Sequence, residues 1–313
     1  MGKKLNYRRT FLIGLAFMSI SSFWQVYDNI IPLILKNTFE LGETVTGVVM
    51  ALDNVLAIVL LPVFGAISDK IDTKLGKRTP FIIVGTVLAI IFMLLLPAAD
   101  MAVNLPLFVG ALFGVLISMG LYRSPAVALM PDLTPNRLRS KANAVINLLG
   151  AVGGVYSLIM IKLLVGKGLR PNYEPLFLSI AAVMGLAVLV LVLTVREKKI
   201  AAQVKAEEEF LQQEENPGKE EAKPMEAGRV TVLAPEVKRS MIYMLFSIFL
   251  WFMAYNAVTT AFSRYTMEVW KLEGGGFADC LMVATVAAII SYIPIGQISS
   301  RFGRKKTIMG ECF

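Results

Sequence analysis

The chain has 313 residues, 56% of them hydrophobic and 17% charged, with a net charge of +8 and a mean hydropathy of +0.65. Soluble domains carry about 25% charged residues, and a chain this apolar cannot hide its surface from water. The absence of histidine removes the usual zinc ligand and general base, and Cys280 and Cys312 offer neither a disulfide framework nor metal-ligand spacing.

The N-terminus, MGKKLNYRRTFLIGLAFMSI, imitates a signal peptide, but its apolar region runs on into a span with no small-residue cleavage site. Apolar runs of about 18 residues or more cross a bilayer core of about 30 Å. Eight such runs are predicted, at residues 11–35, 45–68, 80–99, 104–130, 142–165, 174–195, 239–263 and 278–299. The fold class expected is all-α and polytopic. Basic clusters fall at the N-terminus (Lys3, Lys4, Arg8, Arg9) and then at Lys70 to Arg78, Arg137 to Lys141, Arg196 to Lys199 and Arg301 to Lys306. The opposite loops are short or carry acids, apart from the one holding Lys167 and Arg170. This is the positive-inside pattern, so the positive charge reads as membrane topology and not as nucleic-acid binding. It places the N-terminus in the cytoplasm of an integral membrane protein, with the cell membrane as the expected location.

Between the sixth and seventh spans, residues 197–237 are highly charged, contain Pro and Gly, and have few aromatics. Such a segment buries too little apolar area to offset its ordering entropy. It is expected to be a mobile cytoplasmic linker with a short helix near VKAEEEFLQQ. The organisation expected is a six-span half (1–196), the linker (197–237) and the start of a second half (238–313).

An internal repeat supports this division. PVFGAISDKIDTKLGKR follows the second span and PIGQISSRFGRKK the eighth. Both carry Pro, Gly, Ile-Ser, a basic residue, Gly and a basic pair. Parallel halves of six spans with the substrate between them are a transporter architecture.

The first of these loops, with Gly65, Asp69, Lys70, Gly76, Lys77 and Arg78, resembles the signature of the major facilitator superfamily. Its five-residue insert, IDTKL, and the Pro after GKRT resemble the glycoside–pentoside–hexuronide:cation symporters, above all the sucrose and maltose carriers. YRSPAVALMPDLTPNRLRSKANAVINLLGAVGG resembles the fourth-to-fifth-span region of the same carriers in its Ala-Leu-x-x-Asp-Leu and Arg-Ser-x-Ala-Asn elements. The resemblance implies a twelve-span carrier for a small sugar or glycoside, coupled to a cation, with the proton the expected ion and no cofactor. Three departures stand out. The arginine that plant-type sucrose carriers place before Ala-Leu is Val127 here, with Arg123 one turn earlier. The paired acids of melibiose-type carriers align with Ala57 and Leu61, leaving Asp53. The chain also ends after about eight spans, which is expected of a truncated product. GAVGGVYS, from Gly150, resembles an antiporter signature without its Gly-Pro step. Tight helix packing by small residues is the favoured reading there.

Charges within a span cost about 2.5–3.5 kcal/mol each on insertion scales, so each needs a partner or a purpose. Asp28, Asp53 and Arg123 are such charges, and they are the cation-coupling candidates. Burial favours a neutral acid and a nearby cation its anion, so such a set can exchange a proton. The alternative is a structural ion pair pinning the spans together. Sugar recognition needs amide donors and acceptors beside aromatic rings. The substrate candidates are Trp24, Gln25, Tyr27 and Asn29 on the first span, Asn54 on the second, and Asn143 and Asn147 on one face of the fifth. Tyr255 and Asn256 are their counterparts on the seventh. Interhelical polar contacts are the competing role for each. For the signature loop the resemblance implies a cytoplasmic gate, with Asp69 latching onto another helix start, and positive-inside topology is its simpler role. No nucleophile–base pair, phosphate-binding loop or metal set is present, so neither an enzyme nor a primary pump is expected. The function expected is a cation-coupled sugar symporter in the lipid bilayer. The alternatives are a carrier of a drug or organic anion, or a membrane fragment that does not transport.

Overall fold

The computed structural model describes residues 5–166, 168, 170–215, 235–272 and 275–302, with backbone alone at 209–215, 235–236 and 292–302. The described chain is helical, with a single isolated bridge between Thr73 and Gly76. The membrane-type helices are α1 (Tyr7–Asn37), α2 (Glu43–Lys70), α3 (Thr79–Met101), α4 (Leu105–Asp132), α5 (Arg139–Leu164), α6 (Glu174–Thr194), α8 (Pro235–Val269) and α9 (Phe277–Phe302). Among the described residues, the first seven of these are long and apolar enough to cross a membrane, and α9 contributes a shorter apolar stretch, Phe277–Ser291.

The helix starts follow from local chemistry. Asn6 caps α1 by accepting from the Arg9 N–H at 3.0 Å, and Asn104 caps α4 through the Leu107 N–H at 3.0 Å. Proline stands in the first turn of α3, α4 and α6, where no intrahelical N–H is lost. Pro32, Pro62, Pro97 and Pro125 lie inside helices, as neighbouring spans and local adjustments permit.

At the centre is α1, packed most extensively on α5 and also touching α6, α8, α4 and α2; α3 packs on α4 and α6. The α1–α5 seam is polar and close. The Ser22 hydroxyl donates to the Gly153 carbonyl at 3.0 Å, and the Ser157 hydroxyl donates to the Ser22 carbonyl at 2.8 Å. A Cβ on Gly153 would run into the Met18 backbone, so the small-residue run on α5 packs tightly against α1. Tyr122 of α4 is fully buried, donates to the Ala16 carbonyl at 3.0 Å and lies 2.6 Å from the Ser19 hydroxyl. By contrast α2 buries only Thr46, Met50 and Ser68, and α8 is exposed along most of its length.

The charged segment after the sixth span carries the helix expected near VKAEEEFLQQ, but a longer one that is tied to the rest of the chain. Its first 19 residues form a helix, α7 (Glu197–Glu215), and Glu197 is buried. The physical reason is a set of unpaired N–H groups elsewhere in the chain, described below. The remainder of the expected linker, 216–234, lies outside the described residues, as do the Gly-Arg-Lys-Lys end of the second loop copy and Cys312.

Candidate functional site

Two groups of polar residues stand out, one inside the helix bundle and one on the face where the basic loops lie. The inner group is built by α1, α2 and α4. A small cavity of ≈ 20 Å³ is lined by Trp24, Asp53 and Arg123, with Leu56, Leu60 and Met119 among its apolar walls. That is room for about one water. The Arg123 guanidinium lies over the Trp24 ring, 5.7 Å from its centroid, a cation–π arrangement. Trp24 packs edge-on against Tyr27 at 5.2 Å. The Asn54 amide donates to Asp53 Oδ1 at 2.7 Å. Arg123 and Asp28 are each near enough to Asp53 to act on its charge.

Among the described residues, no ion pair within 4 Å joins Arg123 to Asp28 or Asp53. The nearest thing to a structural pin is therefore the stacked arginine. The Trp24 indole N–H and the Tyr27 hydroxyl are buried with no hydrogen-bond partner among the described residues. Buried polar groups are ordinarily paired, so these orphans mark where a water or ligand belongs.

The predicted residues thus divide. Trp24, Tyr27, Asp28, Asp53, Asn54 and Arg123 come together. Asn29 is buried, but its amide donates to the Gln25 carbonyl at 2.8 Å, and its own carbonyl accepts from Ser263 of α8 at 3.0 Å. Gln25 sits against Gly154 of α5. Asn143 and Asn147 are exposed, and neither side chain makes a hydrogen bond among the described residues. Tyr255 is exposed and stacks on Trp251 at 5.7 Å, while Asn256 is half-buried. These last four do not join the cluster.

The second group is the signature loop. Arg78, 6% exposed, is its hub. Its Nε donates to Asp132 at the end of α4 at 2.9 Å, and its other nitrogens reach Asp69 and Ser68 at the end of α2. Asp69 meets the Arg78 side chain at the start of α3, a contact within its own loop. Lys70 and Lys77 leave their side chains exposed. Gly65 lets α2 approach α4: a Cβ there would lie 3.1 Å from the Ser124 hydroxyl, which donates to the Leu61 carbonyl at 2.9 Å. Gly76 has φ +122°, and a Cβ on it would clash with Glu197. The inserted residues close a tight turn in which Thr73 Oγ1 donates to the Gly76 carbonyl at 2.7 Å.

Glu197 is the residue sequence reasoning missed. Its carboxylate accepts from the N–H groups of Lys77 (2.7 Å), Arg78 (2.9 Å) and Thr79 (2.8 Å) and from the Thr79 hydroxyl (2.7 Å). The first N–H groups of a helix lack intrahelical acceptors and attract negative charge, and Glu197 satisfies those of α3. Asp132 was also missed as a site residue, although it is the acid of the quoted Ala-Leu-x-x-Asp-Leu element. Along α7, Lys198 pairs with Asp72 at 3.1 Å and Arg137 with Glu207 at 3.0 Å, and the Asn136 N–H donates to Glu208 at 2.8 Å. The helix therefore straps the α2–α3 loop to the α4–α5 loop.

At the opposite end, Lys36 of α1 pairs with Glu43 of α2 at 3.2 Å and also with Glu268 of α8, while Arg264 of α8 pairs with Glu43. No metal-ligating group of three or more side chains occurs among the described residues.

Comparison with known proteins now places this arrangement. A search of curated proteins returns no match. A crystal structure of a D-xylose-proton symporter superposes with a TM-score of 0.62 at 16% identity, covering 96% of this chain and 69% of that one. At that identity the likeness establishes the fold. The family model of the Major Facilitator Superfamily matches residues 10–313. The chain belongs to the major facilitator superfamily, a family of transporters and not of enzymes.

Proposed function

We infer that this protein is a cation-coupled sugar symporter, with the proton as the coupled ion, working by alternating access. The observation that carries the reading is the cavity between α1, α2 and α4. It places one carboxylate, one guanidinium and an indole around one space, and Trp24 and its neighbour Tyr27 each carry a buried donor unpaired among the described residues. In this reading Asp53 takes the proton. When the proton leaves, Arg123 supplies the counter-charge from its place over Trp24. Trp24 offers an aromatic face to a sugar ring, and its N–H and the Tyr27 hydroxyl bond sugar hydroxyls. Asp28 is a second acid acting on the first. The fold neighbour is a carrier of D-xylose with protons, and the loop resemblance points to glycoside carriers; both support sugar as the solute class.

A carrier of an organic anion is the second reading. It is favoured by the lack of an ion pair on Arg123, which leaves its charge available to an anionic solute. Membrane vesicles holding the protein distinguish the two. Accumulation of labelled disaccharide under an imposed pH gradient, abolished by a protonophore, is the expected result. Gradient-insensitive disaccharide movement overturns coupling, and uptake of organic anions with no disaccharide uptake selects the second reading.

A further inference from the structure

We propose that the groove beside the first turn of α1 binds the headgroup of an anionic phospholipid. The groove has a volume of ≈ 370 Å³ and is lined by Asn6, Arg8, Arg9 and Leu12 of α1, by Thr194 and Val195 at the end of α6, and by Ile200 of α7. That is many times the inner cavity's room for one water, enough for a phosphodiester with its glycerol.

Its charge is unbalanced in a specific way. The first turn of α1 holds no acid, yet it carries two arginines at the positive end of a helix, where cations are unfavourable. Among the described residues, neither guanidinium donates a hydrogen bond or forms an ion pair. The acid that acts on Arg9 is Glu207, and it is paired with Arg137 at 3.0 Å. The Asn6 side-chain oxygen caps the helix, which leaves its amide as a further donor at the groove. An anion with several acceptor oxygens fits all of these groups.

Position selects a lipid over a soluble anion. The groove lies where α1 and α6 end, at the edge of the apolar spans, and Leu12, Val195 and Ile200 give it an apolar floor. Tyr7 and Phe11 flank the arginines and are 62% and 51% exposed, as residues at a membrane interface are. Basic pockets between spans on the cytoplasmic side suit anionic headgroups.

The test is native mass spectrometry of the purified chain in detergent with equal phosphatidylglycerol and phosphatidylcholine. Retention of phosphatidylglycerol over phosphatidylcholine is expected. Arg8→Gln should weaken it about fivefold, the worth of one cation near an anionic surface, and Arg8→Gln/Arg9→Gln should weaken it further. Arg8 is exposed, so the single variant tests the site even where the double variant fails to fold. Arg8→Lys/Arg9→Lys should keep most of the preference. Lys74→Gln/Lys141→Gln removes the same charge from exposed positions elsewhere and should change nothing. Equal retention of both lipids, or equal loss in the lysine control, overturns the proposal. Displacement of the lipid by millimolar inorganic phosphate or glycerol 3-phosphate overturns the lipid as occupant and assigns the groove to a soluble anion.

Discussion

Arg78 donates from its Nε to Asp132 and from its other nitrogens to Asp69 and Ser68, so one side chain joins the ends of α2 and α4 at the start of α3. Lysine keeps the charge but lacks the planar fork. Arg78→Lys should therefore cost about 0.5–1.5 kcal/mol, because the buried Ser68 hydroxyl loses a donor while the more exposed Asp69 and Asp132 can turn to water, read as a lower melting temperature in detergent with insertion intact. A stability equal to the parent's would show that charge alone holds the loop. Asp53 belongs to a different question, that of coupling. Asp53→Asn preserves the shape of the cavity wall and the neighbour Asn54 but removes the site a proton can leave. The expected outcome is loss of pH-driven accumulation while sugar exchange across the membrane persists. Accumulation at the parent level would move the coupling role to Asp28. The residues that sequence reading failed to bring together are as informative. Asn143 and Asn147 share a helix face by their spacing, but spacing says nothing about what that face meets, and here both are exposed and neither lines the cavity.

At the scale of the element, the spans were legible because a bilayer imposes one rule on all of them. Backbone groups must be satisfied within the segment, so an apolar run of sufficient length becomes a helix whatever its neighbours do. Several observed helices extend past the apolar runs by a few residues: the run at 11–35 becomes Tyr7–Asn37, and that at 239–263 becomes Pro235–Val269, whereas α6 (Glu174–Thr194) stays within its run. Polar flanks continue a helix once the span has nucleated it. The strap helix α7 was not legible to the same degree. Its composition is that of a solvated segment, and the contact that fixes it pairs Glu197 with N–H groups up to 120 positions away in sequence. No local pattern records such a cap. The loop glycine, by contrast, was readable as part of a motif, and its reason is now visible in the close approach of Glu197 to Gly76. Glu197→Gln offers one acceptor oxygen to donors that now share two. It should cost about 1.5–3 kcal/mol, the range for hydrogen bonds to a charged group. Hydrogen exchange should speed up at Lys77, Arg78 and Thr79 before it does elsewhere in α3. Uniform exchange across α3 in the variant would show that α7 does not cap this helix.

On the scale of the whole molecule, the two ends of the bundle are fastened differently. The basic end is held by contacts among α2, α3, α4, the α4–α5 loop and α7, all drawn from the first 208 residues. The acidic end ties α8 to α1 and α2 through Lys36, Glu43, Arg264 and Glu268, with Ser263 donating to the Asn29 carbonyl beside them. A carrier that alternates its access must break contacts between its moving bodies on one side at a time. Opening of the acidic end would have to break the ion pairs among α1, α2 and α8. Glu43 serves two cations there, and its side chain is 63% exposed, whereas that of Arg264 is 12% exposed. An exposed pair contributes about 0.2–1 kcal/mol, so losing Glu43 should tilt the equilibrium modestly and not unfold the bundle. In a chain with Cys280 and Cys312 replaced by serine and Ala57→Cys placed in the cavity wall, a membrane-impermeant thiol reagent reports opening from the acidic side. Glu43→Gln should raise the labelling rate by up to about fivefold, the ratio that 1 kcal/mol supplies at most. Glu43→Asp, which keeps a carboxylate between Lys36 and Arg264, should hold the rate nearer the parent. A rate unmoved by Glu43→Gln would mean that apolar packing along α1 and α8, and not this set of charges, keeps that end closed.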